Sequence, residues 1–226
     1  MTARAPFPLT LAVILAVLLT LAGYYWPCLW IVYVFKPLAT VLLVLIATSS
    51  WISNQSAYAQ WIVVGLIFSL VGDVLLMWPH QYFLPGLAAF LVAHVAYLVA
   101  FTRDCKFPAS LSIWFAYVVA AVVFYALLLP TLPPGLRIPV AVYAALLSTM
   151  ASQAMGRSSL IKTSSAQQAA VGALLFLLSD LLLAFDRFRR PLVWSTTLIL
   201  VPYYVGQWLI ASSASDAGRG DAPARE

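Results

Sequence analysis

Charge is what this chain has least of. Only 8% of its 226 residues are Asp, Glu, Lys or Arg, while 64% are hydrophobic, against roughly 25% and 45–50% in an ordinary soluble domain. A water-soluble fold is excluded on that ground. Cysteine is scarce too: Cys28 and Cys105 form neither a CxxC metal site nor a disulfide framework, and they read as packing residues. Two histidines, His80 and His94, cannot build a three-histidine zinc centre. No GxSxG, HExxH or GxxxxGK[ST] run occurs, which removes the usual serine hydrolases, zinc peptidases and P-loop enzymes. What remains is carboxylate chemistry.

What the chain has in abundance is long apolar runs. A helix that crosses a bilayer needs about 20 mostly apolar residues, and Pro, Gly and charged punctuation divides the chain into eight such runs. They lie roughly at 7–24, 28–48, 60–78, 84–102, 111–129, 137–155, 168–186 and 192–212. The expected fold is an all-α integral membrane protein with eight transmembrane helices, forming one domain over residues 1–211. Residues 212–226 are small, polar and charged and read as a disordered tail.

An internal repeat is expected as well. GLIFSLVGDVLL at 65–76 aligns without a gap on GALLFLLSDLLL at 172–183, an offset of 107 that sets Gly65 on Gly172, Asp73 on Asp180 and Tyr97 on Tyr204. The offset spans four helices, an even number, so the halves (about 1–105 and 111–211) form a parallel 4+4 repeat. The first helix completes a repeat unit and is therefore read as retained, not as a cleaved signal peptide. On this scheme Asp73 and Asp180 lie at similar depth and face one shared cavity.

The 12 basic residues outnumber the 7 acids, for a net charge of +5. They sit mainly between runs and in the tails, which is membrane orientation chemistry and not nucleic-acid binding. One side collects Arg4, Arg103, Lys106, Arg157, Lys162, Arg219 and Arg225, the other Arg137, Arg187, Arg189 and Arg190. The excess places both termini in the cytoplasm, with the inner membrane as the location if the source is bacterial. The compact Arg187 to Arg190 cluster pulls the other way.

Two acids stand inside apolar runs. An ionised Asp there costs on the order of 3 kcal/mol on insertion scales, so Asp73 and Asp180 are expected to face a cavity or the bundle interior. The competing reading is structural, a buried Asp that holds helices together. Asp186 lies beside Arg187 and reads either as an interfacial ion pair or as functional. Lys36, about eight residues into its run, is placed to pair with a carboxylate or a phosphate. His94 and Tyr97 share a helix face, as Gln207 does with Tyr203 and Tyr204, and each is read as either packing or functional. Asp73, Asp180 and His94 together also make a conceivable metal set, although neither metal nor cofactor is expected.

Lys36-Pro37, Gly72-Asp73, His94 with Tyr97, Ser179-Asp180 followed by Asp186, and Tyr203-Tyr204 with Gln207 together resemble the YhhN-type lysoplasmalogenase family. The resemblance covers the second to the eighth run and is most specific in GDVLLMWP at 72–79 and LLFLLSDLLLAFDRF at 174–188. It implies an eight-helix membrane enzyme, an ether hydrolase that splits the vinyl ether bond of lysoplasmalogens. The products would be a fatty aldehyde and glycerophosphoethanolamine or glycerophosphocholine. Asp73 and Asp180 would be the catalytic pair, and Lys36, His94, Tyr97, Asp186, Tyr203, Tyr204 and Gln207 would bind a lysophospholipid drawn from the bilayer. For its phosphate, Lys36 is the first candidate and the Arg187 to Arg190 cluster the second.

The chemistry fits the residues. Protonating the β-carbon of a vinyl ether leaves an oxocarbenium ion that water attacks, so one protonated and one ionised Asp suffice without a Ser or Cys nucleophile. Glycoside hydrolysis divides labour between two carboxylates in an analogous way. The alternative is a proton-coupled transporter, which also uses repeats and intramembrane Asp.

Overall fold

The computed structural model describes residues 7–215. They form eight helices: α1 (Phe7–Tyr25), α2 (Leu29–Asn54), α3 (Ala57–Leu75), α4 (Pro79–Phe101), α5 (Leu111–Leu128), α6 (Pro134–Ile161), α7 (Ser164–Phe188) and α8 (Ser195–Ser213). The starts follow ordinary capping rules. Ser56, Ser110 and Thr163 cap α3, α5 and α7 by accepting the backbone N–H three residues on, and Pro79 and Pro134 open α4 and α6, where a missing N–H does no harm. Gln55 and Lys162 end α2 and α6 in the left-handed conformation.

Seven of these helices are long and apolar enough to cross a membrane, and the protein is a multi-pass membrane protein. The more polar α8 is the exception to the expected eight apolar spans. Its buried face carries Tyr203, Tyr204, Gln207, Ser212 and Ser213, most of them bonded inside the bundle, so its polarity is spent on neighbours. By contrast α5 buries only Leu128 and lies at the periphery.

Three expected boundaries move. The polar stretch 49–60 was read as a break, yet α2 continues to Asn54. Ser49 and Ser50 donate their hydroxyls back to Ile46 O, and Ser53 to Ser49 O, so these side chains satisfy themselves on the helix they ride. Likewise 157–168 was read as a break, but α6 runs through Arg157 to Ile161 and α7 begins at Ser164. Ser212 and Ser213, expected at the start of the tail, are buried in α8; the rest of the expected tail, residues 216–226, lies outside the described residues.

Sequential helices pack side by side, except across the α4–α5 link, and α4 against α6 and α2 against α8 join the two halves. Where α7 crosses α8, Gly172 faces Gly206 so closely that a Cβ on either would stand 2.7 Å from the other's carbonyl oxygen. Small residues of this kind let membrane helices approach backbone to backbone. The helix ends sort to two ends of the bundle. At one, Asn54 Nδ2 donates to Ala214 O, Tyr58 bonds Ser213, and Arg157 bonds Asp104. At the other, Tyr25 bonds Thr197, Tyr33 stacks on Trp78, and Arg187 donates to Pro79 O. The chain enters α1 and leaves α8 at the first end.

Candidate active site

Asp73 occupies the last turns of α3 and is 3% exposed. Its neighbour Gly72 lets the ring of Phe90 lie against α3; a Cβ there would stand 2.5 Å from that ring. Phe90 in turn meets Phe176 and Tyr203 edge to face at 6.0 and 5.9 Å, an aromatic wall that holds α4, α7 and α8 around the carboxylate. Asp73 Oδ2 accepts from Thr40 Oγ1 and from the Tyr203 hydroxyl, both at 2.6 Å. Lys36 Nζ stands 3.8 Å from Oδ1 and donates to Asp73 O at 3.3 Å. Lys36 and Thr40 are one turn apart on α2, hence on one face. Two hydroxyl donors and an ammonium thus converge on this one carboxyl group.

Behind this carboxylate runs a directed chain of donors. Tyr97 donates to Gln207 Oε1 at 2.7 Å, Gln207 Nε2 donates to the Tyr203 oxygen at 3.3 Å, and Tyr203 donates to Asp73. Each link fixes the direction of the next, and such chains strengthen one another in a low-dielectric interior. Tyr204 steadies the other side by donating to Lys36 O at 3.0 Å.

Asp180, on α7, lives differently. It is half-buried, and its Oδ2 accepts the hydroxyl of Tyr143 at 2.5 Å. No cation pairs with it among the described residues. Its neighbour Ser179 donates to Ile199 O and ties α7 to α8.

Both aspartates line one cavity of about 520 Å³, within the several-hundred-Å³ range typical of small-molecule sites. Of the nine residues singled out in the sequence, Lys36, Asp73, Asp180, Asp186 and Tyr203 line it. His94, Tyr97, Tyr204 and Gln207 are buried behind its wall. Asp186 Oδ1 accepts from Leu192 N at 2.7 Å and closes the α7–α8 link. The His94 ring packs on Phe176 and Tyr143 at 4.8 and 5.2 Å, and neither of its nitrogens has a hydrogen-bond partner. Among the described residues no three His, Cys, Asp or Glu side chains gather to hold a metal ion. Lys36 is engaged with Asp73.

Two residues escaped the sequence reading. Thr40 could have been found from Lys36, four residues before it. Tyr143 stands at the 107-residue offset from Lys36, and both Lys36–Asp73 and Tyr143–Asp180 are separated by 37 residues. Applying the expected offset to Lys36 would have pointed to Tyr143.

A sequence model of the YhhN family matches residues 31–214. The chain belongs to the YhhN family. That match takes in most of α2 and all of α3 to α8, with every cavity-lining group discussed above. Lysoplasmalogenase TMEM86A of Bos taurus is 37% identical over 163 residues, 70% of this chain and 67% of that protein. Lysoplasmalogenase TMEM86B of Homo sapiens is 36% identical over 193 residues, 83% of this chain and 80% of its own. Uncharacterized membrane protein YhhN of Escherichia coli O157:H7 is 28% identical over 206 residues, 90% and 96% of the two chains. No solved structure matches this YhhN protein.

Proposed function

We propose that this YhhN protein is a membrane ether hydrolase that cleaves the vinyl ether bond of lysoplasmalogens, giving a fatty aldehyde and a glycerophosphoethanolamine or glycerophosphocholine. The observation that carries the reading is the pair of aspartates in one cavity with opposite surroundings: Asp73 beside an ammonium, Asp180 beside a phenol. The names of the TMEM86A and TMEM86B relatives favour hydrolysis over proton-coupled transport.

Asp180 carries the proton and Asp73 the charge. Asp180 protonates the β-carbon of the alkenyl chain, and Asp73 faces the oxocarbenium ion and takes a proton from the water that attacks it. The hemiacetal then collapses: the proton on Asp73 goes to the departing glycerol oxygen, and the hemiacetal hydroxyl proton returns to Asp180. Both groups are restored, and the sum is one water added and one C–O bond broken. Thr40, Tyr203 and Lys36 hold Asp73, Tyr143 holds Asp180, and Tyr97, Gln207 and Tyr204 act through them as positioning residues. His94 packs the wall between the two sites.

On the expected parallel 4+4 repeat Lys36 and Tyr143 are equivalents, and the difference between them sets the two aspartates apart. Both termini are assigned to the cytoplasm, as expected from the basic residues, and in a bacterium to the inner membrane. With Arg157 buried inside a helix, the excess on the terminal side falls to six against four and keeps its sign. The test is purified protein in detergent given a lysoplasmalogen. Aldehyde release from wild type and none from Asp180→Asn is the expected result, and uptake into proteoliposomes without aldehyde would replace hydrolysis by transport.

A further inference from the structure

The cavity holds two cations, and only one of them is spoken for. Lys36 is buried against Asp73. Arg187 lines the same cavity from the exposed last turn of α7, and no carboxylate pairs with it among the described residues. Its neighbour Asp186 forms no ion pair with it and accepts the backbone N–H of Leu192. The guanidinium of Arg187 lies over the Phe83 ring at 4.1 Å and near Phe188 at 5.9 Å, and one amino group donates to Pro79 O at 3.2 Å. The guanidinium is thus oriented by protein groups while its other N–H donors, on an exposed side chain, have no protein partner among the described residues, which leaves them available to an oxyanion.

We propose that Arg187 binds the phosphate of the lysophospholipid and sets the register in which the vinyl ether meets Asp180; the proposal rests on the hydrolase reading above. Distance supports it. Asp180 and Arg187 are two turns apart on α7, about 10 Å along the axis. In the substrate, seven bonds separate the alkenyl β-carbon from the phosphorus, roughly 8 Å when extended. Helix side chains lean towards the N-terminus, so the longer Arg187 leans back towards Asp180 and closes the gap. A phosphate at Arg187 therefore presents the vinyl ether, and not the glycerol or the chain, to the carboxylates. Apolar residues of the cavity on the far side of Asp180 from Arg187, among them Leu87, Leu147 and Leu177, are left for the hydrocarbon chain. The expected phosphate role of Lys36 passes to Arg187, because Lys36 already neutralises Asp73.

The test deletes the cation and the phosphate separately. Arg187→Gln, Arg187→Lys and Arg137→Gln, in purified protein, are given 1-alkenylglycerophosphoethanolamine and the phosphate-free 1-alkenylglycerol. Arg187→Gln should raise KM for the phosphorylated substrate about 10- to 100-fold, the range for a charge-assisted bond, while leaving kcat/KM for the alkenylglycerol within about twofold. Arg187→Lys should restore part of the loss. Arg137→Gln, which alters a residue outside the cavity lining, should change neither substrate. An equal loss on both substrates, an unchanged KM for the phosphorylated one, or the same effect from Arg137→Gln overturns the assignment. Binding of the saturated 1-alkylglycerophosphoethanolamine, which has no vinyl ether to cleave, separates the two claims. Weaker binding to Arg187→Gln upholds the phosphate site even if wild type releases no aldehyde, whereas equal binding to both proteins overturns it.

Discussion

Two pairs of opposite charge sit in this bundle, roughly 22 Å apart along α3, and they are built for different ends. At the terminal end, Arg157 is 2% exposed and grips Asp104 with two nitrogens, Nε at 2.8 Å and Nη2 at 2.6 Å. Its guanidinium also lies 4.7 Å over the ring of Tyr58, and Gln153 bonds the 102–110 link beside it. Asp104 is 38% exposed, so this pair is a clamp closed by a loop, with no carboxylate left to act inside the membrane. At the cavity end the ammonium stays 3.8 Å from its partner, and hydroxyl groups, not the cation, make the short bonds. That carboxylate is restrained but faces open space. A tight bidentate pair stabilises; a looser one beside a cavity leaves an anion free to meet a developing cation.

The comparison breaks most sharply under substitution. Asp73→Asn and Asp180→Asn should each lower aldehyde release by 10²–10⁴-fold or more, the usual worth of a general acid or base, with the protein still extracted as a folded species on gel filtration. A loss below about tenfold in either variant would return the pair to a structural role. Arg157→Met should do the reverse. It removes the bonds to Asp104, which is exposed enough for water to solvate it, and the cation packed on Tyr58; the loss is about 1–3 kcal/mol, read as a drop in thermal midpoint in detergent. Activity per folded molecule should stay within about twofold. If Arg157→Met instead lowered kcat in fully folded protein, the two pairs would not be functionally distinct.

Smaller effects sharpen the picture within the cavity. Tyr203→Phe removes a donor from Asp73, and Tyr143→Phe removes the donor from Asp180; each should reduce kcat by about 10- to 100-fold. Gln207→Leu, one bond further back, should cost less than either, because Tyr203 keeps Asp73 within reach. The pH dependence of kcat/KM should be bell-shaped for wild type. Its acid limb reflects loss of the Asp73 anion and its basic limb loss of the Asp180 proton, and the two apparent values belong to the pair. A single monotonic limb would show that only one carboxylate titrates in the reaction. The smallest expected effect is that of EDTA, which should leave the rate unchanged; loss of activity restored by one divalent metal would assign the carboxylates to a metal site.

The helices were legible because hydropathy is a local property, and the corrections fall where polarity is satisfied out of sight of the local sequence. Ser49, Ser50 and Ser53 look like a linker but bond back to their own helix, and Arg157 looks like a loop cation but is buried against Asp104, 53 residues away. Asp73 and Asp180 stood out because a lone acid in an apolar run demands an explanation. Of their partners, Lys36 and Tyr203 stood out as well, but Thr40 and Tyr143 did not. A phenol such as Tyr143 reads as packing in any apolar helix, and only the fold brings it to a carboxylate 37 residues on. The relay from Tyr97 through Gln207 to Tyr203 joins α4 to α8 across 110 residues, beyond any motif within one helix.

The most direct test of the two-carboxylate account is hydrolysis of a lysoplasmalogen in deuterium oxide, with the aldehyde reduced as it forms and examined by mass spectrometry. Protonation of the β-carbon by Asp180, whose proton exchanges with solvent, predicts one deuterium on the carbon next to the former carbonyl. In water enriched in heavy oxygen, the released glycerol fragment should carry none of the label, since water attacks the alkenyl side. Aldehyde without deuterium at that carbon, or heavy oxygen in the glycerol fragment, would contradict the account.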